Sequence, residues 1–334
     1  MFNPDIFSTG WVVLIVFAVL IFDYINGFHD TANAIATSVS TKAVSPRNAI
    51  LIAATFNFLG AISGTAVAAT IGKNIVAEAD VVPLVIVAAI IGAIFWNLFT
   101  WYFGIPSSSS HALIGGLVGA VIARHGTGAV IWDGVLRIVV GLVTSPVIGL
   151  VIGSIIMTIL FWMFRKSSPV RINLRFRSLQ VITACMASFA HGSNDAQKSM
   201  GIITMSLVGA GMIDSFVVLP WVKVICAAAM CAGTAFGGWR IIRTMGGKIF
   251  RIEPINGFAA DFTSATVIYG ASLLGIPVST THVVSSSIMG VGAAKRLKGV
   301  RWNIARQIVA AWIITIPSSA LVAILVYKVV AILV

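Results

Sequence analysis

Charge is the first thing this chain lacks. Only 10% of its 334 residues are charged, and just 10 are acidic. Soluble domains carry about 25% charged residues to cover their water-facing shell. A composition that is 58% hydrophobic, with mean hydropathy +1.02, cannot build such a shell. Cysteine is scarce as well. Cys185, Cys226 and Cys231 lie in apolar segments without metal-type spacing, which argues against a disulfide framework or a zinc site. They read as small packing residues. The opening MFNPDIFSTG has no basic run, so the first apolar stretch reads as a retained membrane helix and not a cleaved signal.

What the chain does have is long apolar segments. They fall near 11–38, 48–70, 81–103, 107–123, 132–164, 179–209, 217–236, 255–274, 277–294 and 304–334. Most are long enough to cross a bilayer core of ~30 Å as helices. Two, 107–123 and 277–294, are short and begin with Pro-Ser/Thr runs, so they read as half-helices. The stretch at 132–164 is too long for one crossing and holds Pro146, which suggests two pieces.

The net charge of +12 is a matter of placement. Sixteen of the 22 basic residues fall at Lys42/Arg47, Arg165 to Arg177, Arg240 to Arg251 and Lys295 to Arg306. Basic loops mark the cytoplasmic side of a membrane protein, so the surplus reads as topology and not as a nucleic-acid surface. With the N-terminus outside, these clusters fall inside, whereas Glu78, Asp80 and Asp214 fall outside. Asp5 reads as a loop residue.

The chain also repeats itself. NGFHDTANA at 26–34 aligns with HGSNDAQKS at 191–199, and SGTA at 63–66 with AGTA at 232–235. GIPSSSSHALIGGLVG at 104–119 aligns with GIPVSTTHVVSSSIMG at 275–290, and SP at 145–146 echoes IPSS at 316–319. Four matches in one order imply a duplication. The first half spans 1–164, a basic linker 165–178, and the second half 179–334. An odd number of crossings in the first half makes the halves inverted. The predicted fold is therefore an all-α polytopic membrane protein of two inverted repeats with discontinuous or re-entrant helices, about 10–12 membrane segments in all. Secondary transporters are built this way, with their sites near mid-membrane.

Four acids lie within apolar segments: Asp23, Asp30, Asp195 and Asp261. A carboxylate at the bilayer centre costs roughly 2.5–3.5 kcal/mol on insertion scales, so these should line a wet cavity or meet cations. On a helix Asp30 and Asn33 share a face, an oxygen pair suited to a hard cation. Asp30 and Asp195 are thus also the metal candidates. In the second copy Lys198 stands where Asn33 stands in the first, so a fixed ammonium would replace a bound cation there. That leaves protons as the natural coupling partner.

The Pro-Ser/Thr tips offer the opposite chemistry. Ser107, Ser108, Ser109 and Ser110 follow Pro106, and Ser279, Thr280 and Thr281 follow Pro277 and Val278. Pro starts helices and Ser/Thr cap them, so two tips would aim N–H groups, hydroxyls and positive dipole ends at an anion. His111 and His282 end these runs; holding the tips, touching a ligand, carrying protons and simple packing all remain open for them. His29 and His191 flank the acidic motifs with the same ambiguity.

NGFHDTANAIAT, HGSNDAQKSMG, GIPSSSSHA and GIPVSTTHV together resemble the PiT family of inorganic phosphate transporters, over nearly the whole chain. The resemblance implies a 12-helix inverted-repeat fold, outside termini, a cytoplasmic central loop and commonly a homodimer. It implies phosphate at Ser107–Ser110 and Ser279–Thr281, and cation or substrate contacts at Asp30, Asn33, Asn194 and Asp195. Sodium-coupled members read G-x-N-D-x-A-N in both copies. Here His29 replaces the first Asn, and Gln197-Lys198 replace Ala-Asn in the second copy. That pattern is similar to the bacterial low-affinity branch of the inner membrane, which imports phosphate with protons, often as a metal–phosphate complex with Mg²⁺ or another divalent ion. Sodium coupling is the alternative, as is a sulfate or divalent-metal transporter on the same scaffold. The enzyme alternative is an intramembrane hydrolase using Ser107 and His111, four residues apart; the reading is a transporter and not an enzyme. No resident cofactor is implied, and the other partners are membrane lipid and the co-transported cation.

Overall fold

The computed structural model describes residues 8–76, 82–236, 241–242 and 244–333. Asp5, Glu78, Asp80, Arg240 and Arg243 lie outside the described residues. The first half runs α1 (Thr9–Ser40), α2 (Pro46–Ile62), α3 (Ala66–Lys73), α4 (Pro83–Phe103), α5 (Ser109–His125) and α6 (Trp132–Phe164). The second runs α7 (Pro169–Gly209), α8 (Pro220–Phe236), a π-helical turn (Thr244–Lys248), α9 (Pro254–Leu273), α10 (Thr280–Lys295) and α11 (Trp302–Leu333).

Local chemistry sets many of these starts. Pro46, Pro83, Pro169, Pro220 and Pro254 each open a helix, where the missing N–H costs nothing. Ser45 caps α2, and Glu253 with Asn256 forms a capping box on α9. Among the described residues four helices, α1, α4, α6 and α11, are long and apolar enough to cross a membrane alone, and the bent pair α2–α3 makes a fifth. α1 qualifies although it carries one of the two polar motifs; α7, which carries the other, does not, and the tip helices α5 and α10 are shorter than the 18 residues required. α6 and α11 turn most of their apolar surface outward, with Leu136, Val143, Ile313 and Leu325 exposed.

The structure corrects the sequence reading in four places. The stretch 132–164 is one helix with Pro146 inside it, not two pieces. Pro317 sits likewise inside α11. The stretch 48–70 is instead broken, with α2 and α3 bent by 67°. Most of the supposed linker is helical, because α7 already begins at Pro169. Finally, SGTA and AGTA are not structural equivalents: Ser63–Thr65 is the break after α2, whereas Ala232–Ala235 is helical within α8.

Close helix contacts give the right equivalence. A Cβ on Gly233 would lie 1.9 Å from the Tyr24 carbonyl, and one on Gly60 would lie 2.0 Å from the Phe189 carbonyl. A Cβ on Gly27 would meet the Met230 carbonyl at 2.3 Å, and one on Gly192 the Asn57 carbonyl at 2.1 Å. Thus α1 crosses α8 as α7 crosses α2, and Gly60 corresponds to Gly233. The halves interlock: α6 packs on α10, and α11 packs on α5.

The connections gather the basic clusters at one end of the molecule. Thr41 donates to Gln180 Oε1 at 2.7 Å, Ser40 donates to the Gly246 carbonyl, and Arg301 N donates to the Ile249 carbonyl at 2.9 Å. These bonds bring the ends of α1 and α10 beside the start of α7, so Lys42, Arg175, Arg251 and Lys295 share that end.

Each GIP stretch turns through a left-handed glycine, Gly104 (φ 64°) and Gly275 (φ 68°). Adding a Cβ there costs about 1–2 kcal/mol. Gly104→Ala is therefore expected to lower stability by about that amount, read as a lower unfolding midpoint in detergent.

Candidate functional site

Two half-helices meet at the centre of the molecule. Ser108 caps α5 by accepting from His111 N, and Ser279 caps α10 by accepting from His282 N. The tips touch, because Ser110 Oγ donates to the Val278 carbonyl at 3.0 Å. Ser107 to Ser110 and Ser279 to Thr281 are all buried.

The interrupted motifs of α1 and α7 face these tips. Along α1 the polar residues Asp23, Asn26, Asp30, Asn33 and Thr37 recur every three or four residues, which puts them on one face. That face is buried. Ser109 Oγ donates to Asp30 Oδ2 at 2.6 Å, and Thr281 Oγ1 donates to Asp30 Oδ1 at 3.1 Å. On the other side Thr280 Oγ1 donates to Asp195 Oδ2 at 3.0 Å. Asn33 Nδ2 donates to Thr281 Oγ1 at 2.8 Å, and Lys198 Nζ donates to Ser110 Oγ at 2.5 Å. Lys198 Nζ also pairs with Asp195 Oδ1 at 2.5 Å. The bonding is two-fold in most of its pattern: each acid holds its own half's tip, and Asn33 and Lys198 each reach the other half's tip, while Thr281 adds a bond from the second tip to Asp30 that Lys198 replaces on Asp195.

Histidines flank the acids. His29 Nδ1 lies 2.6 Å from Asp30 Oδ1. His191 Nε2 lies 3.3 Å from Asp195 Oδ2, while its Nδ1 meets Asn57 Oδ1 at 3.0 Å. One atom from each of Asp30, His191 and Asp195 lies within 4.8 Å of the others, so the three can hold a metal ion together.

Other expected residues stand around this cluster. Asn194 braces the second tip, donating to Ser272 Oγ at 3.0 Å and accepting from Val278 N at 3.4 Å. Gln197 Oε1 accepts from Val67 N at 2.8 Å and so holds the start of α3. Asp23 accepts from Ser199 Oγ at 2.5 Å, and Asp261 from Thr37 Oγ1 at 2.5 Å. These two acids flank the cluster on opposite sides along α1, about two helical turns from Asp30 for Asp23.

His111 bonds its own tip, whereas the His282 ring packs against other rings. His111 Nδ1 meets Ser108 Oγ at 2.8 Å. The two rings lie 4.5 Å apart, and His282 stacks on Trp312 at 3.8 Å. Both rings line a cavity of ≈ 860 Å³ between α6 and α11, away from the carboxylates. Ser107 does not form the dyad with His111 that a hydrolase needs. Its hydroxyl instead meets Thr100 Oγ1 at 2.7 Å and His29 Nε2 at 3.4 Å.

Sequence reasoning passed over Thr100, Asn57, Ser199 and Thr37. Nothing local marks Thr100 or Asn57, which reach the site only because α4 and α2 pack beside α1 and α7. His191 did carry a signal: it stands four residues before Asp195, on the same helical face.

The chain matches the phosphate transporter family over residues 26–323. It is 53% identical over 311 residues to a probable low-affinity inorganic phosphate transporter of Bacillus subtilis, covering 92% of this chain and 93% of that one. It is 48% identical over 318 residues to a protein of the same description from Rhizobium meliloti, covering 95% of each. Among solved structures it is similar to one described as the sodium-dependent phosphate transporter. That likeness has a TM-score of 0.88 and 25% identity, over 98% of this chain and 100% of the other.

Proposed function

Since this chain belongs to the phosphate transporter family, we propose that it is a symporter importing inorganic phosphate with a cation, protons in preference to sodium. The observation that carries the reading is the set of tip hydroxyls bound to carboxylates: Ser109 and Thr281 on Asp30, Thr280 on Asp195. While the acids hold those hydroxyls, an arriving phosphate meets negative charge instead of donors. Protonation or a bound cation neutralises the acids and frees the hydroxyls to turn toward the anion. The helix starts then add N–H groups and the positive ends of two dipoles. Cation and phosphate binding are coupled by this exchange of partners, and each positive charge moving inward gains ~2.3 kcal/mol per 100 mV.

Within this reading Ser107 to Ser110 and Ser279 to Thr281 form the phosphate cradle. Asp30, Asn33, Asn194, Asp195 and Lys198 carry coupling, with Asp23 and Asp261 as flanking carboxylates. Asp30, His191 and Asp195 would receive a divalent ion that arrives with phosphate. The protein works as two inverted halves, 1–164 and 179–334, by alternating access. The gathering of basic clusters at one end supports a cytoplasmic face there, with both termini outside, in a bacterial inner membrane. A homodimer completes the reading.

The test is labelled phosphate uptake into proteoliposomes, crossing proton and sodium gradients with and without Mg²⁺, and with sulfate as competitor. Accumulation driven by an inward proton gradient and insensitive to sodium at fixed pH is expected. Sodium-dependent uptake would overturn proton coupling, and no accumulation under any gradient would overturn phosphate symport altogether.

A further inference from the structure

Asn33 and Lys198 hold equivalent places, each three residues beyond its half's buried acid and each bonded to the last hydroxyl of the opposite tip. Their chemistry differs. On the Asn33 side no ammonium sits at the acid: Asp30 meets Thr281 Oγ1 at 3.1 Å and the imidazole His29 Nδ1 at 2.6 Å, and Asn33 Oδ1, three residues on along the same face, is buried with no hydrogen-bond partner. The oxygens of this set suit a hard cation. On the Lys198 side the ammonium itself sits among the oxygens, at 2.5 Å from Asp195 Oδ1, 2.5 Å from Ser110 Oγ and 3.3 Å from the Val278 carbonyl. Lys198 is only 1% exposed, so its charge is fixed within the site and not shared with water. The other charged or titratable groups around it are His191 against Asp195, Asp30 across the tips, Asp23 through Ser199, and His111, the residue after Ser110.

We propose that Lys198 is a built-in cation. Its tethered ammonium occupies the place that, in the other half, Asp30, Asn33 and Thr281 offer to an exchangeable ion. The chain therefore couples phosphate to one free cation fewer than a site with two oxygen seats would, and residue 198 determines that number. This rests on the cation-coupled reading above.

A tethered ammonium replaced by an amide oxygen should make the second seat exchangeable. Lys198→Asn is expected to bring sodium stimulation of phosphate uptake at fixed pH, on the order of tenfold, absent from the wild type. Lys198→Met removes the charge without supplying an oxygen, so its uptake should fall and sodium should not restore it. That contrast separates a cation seat from a merely structural lysine, which sodium would rescue in neither variant. The wild type in the same vesicles is the control. If it takes up no phosphate, the symport reading fails; if it does and Lys198→Asn keeps the wild-type ion dependence, only this inference fails. A folded Lys198→Asn protein that is inert with and without sodium also overturns it. Where Lys198→Asn does not fold, Lys198→Gln carries the same test. Failure of both to fold counts against the proposal, since an amide oxygen and sodium then do not stand in for the ammonium.

Discussion

Asp30→Asn is expected to cut the initial rate of phosphate uptake at least about 100-fold while leaving the protein folded. The carboxylate attracts a monovalent cation at 4 Å by about 4 kcal/mol at an effective dielectric constant of 20. Losing that attraction weakens cation binding by almost three decades. The amide also fits its surroundings badly. His29 Nδ1, Ser109 Oγ and Thr281 Oγ1 converge on the two oxygens of Asp30 at 2.6, 2.6 and 3.1 Å. An NH₂ in place of either oxygen faces a hydroxyl that was donating, so Ser109 or Thr281 must rotate away. The variant loses both the charge that recruits the cation and the arrangement that ties hydroxyl release to cation arrival. Uptake should be measured at subsaturating phosphate, beside the elution profile and unfolding midpoint in detergent. A folded variant within threefold of the wild-type rate would remove Asp30 from coupling.

The same geometry explains why a buried cluster of opposite charges is tolerated. Asp195 is compensated by Lys198 within hydrogen-bond distance, and Asp30 by three neighbours. Breaking a buried pair by removing one partner costs about 3–5 kcal/mol, so neither acid is free to lose its partners without another cation in their place. The asymmetry between the halves lies in the supply of that cation: one half carries it on the chain.

Much of this was legible from residue order because the duplication writes each functional element twice. The pairs Asp30/Asp195 and Ser109/Thr280 stand at fixed offsets, and a capping Ser before His111 and before His282 marks both helix starts. The register of α2 and α8 was not legible. SGTA and AGTA share letters, yet what the fold equates is Gly60 with Gly233, because those glycines sit where the helices cross. Identity of letters reports common ancestry; backbone approach reports packing, and an inserted turn separates the two. Nor did the sequence show that α6 caps the second half while α11 caps the first. Apolar faces on both helices fit either partner equally well, and only the small-residue stripes decide. Gly149 and Gly153 admit Ser286 and Ser287 of α10, while Gly115 and Gly119 admit Ile316 and Ala320 of α11. The orientation of His111 and His282 was equally hidden, since it depends on Trp312, far away in the chain.

Gly192→Ala should damage this protein more than any surface change of equal size. Its Cβ would stand 2.1 Å from the Asn57 carbonyl oxygen and 2.7 Å from Asn57 C and Cα. Those are backbone atoms of α2, so no rotamer can relieve the contact and the whole helix must move. Overpacking typically costs about 1–3 kcal/mol when side chains can adjust, and a backbone clash belongs at or above the upper end. The reciprocal position is equally closed, because Gly60 abuts the Phe189 carbonyl one turn before Gly192. Separating α2 from α7 also strains the His191–Asn57 bond and shifts His191 relative to Asp195. Function should therefore fail before the fold does: at a temperature where Gly192→Ala is still monodisperse, phosphate uptake should already be largely lost. Gly270→Ala is the control, since a Cβ there meets nothing within 4 Å and lies inside α9. Alanine in a helix interior is favoured over glycine by about 1 kcal/mol, so that variant should match or exceed the wild-type unfolding midpoint. Equal midpoints for Gly192→Ala and wild type would show that α2 and α7 are not packed backbone to backbone, and the alignment of Gly60 with Gly233 would fall with it.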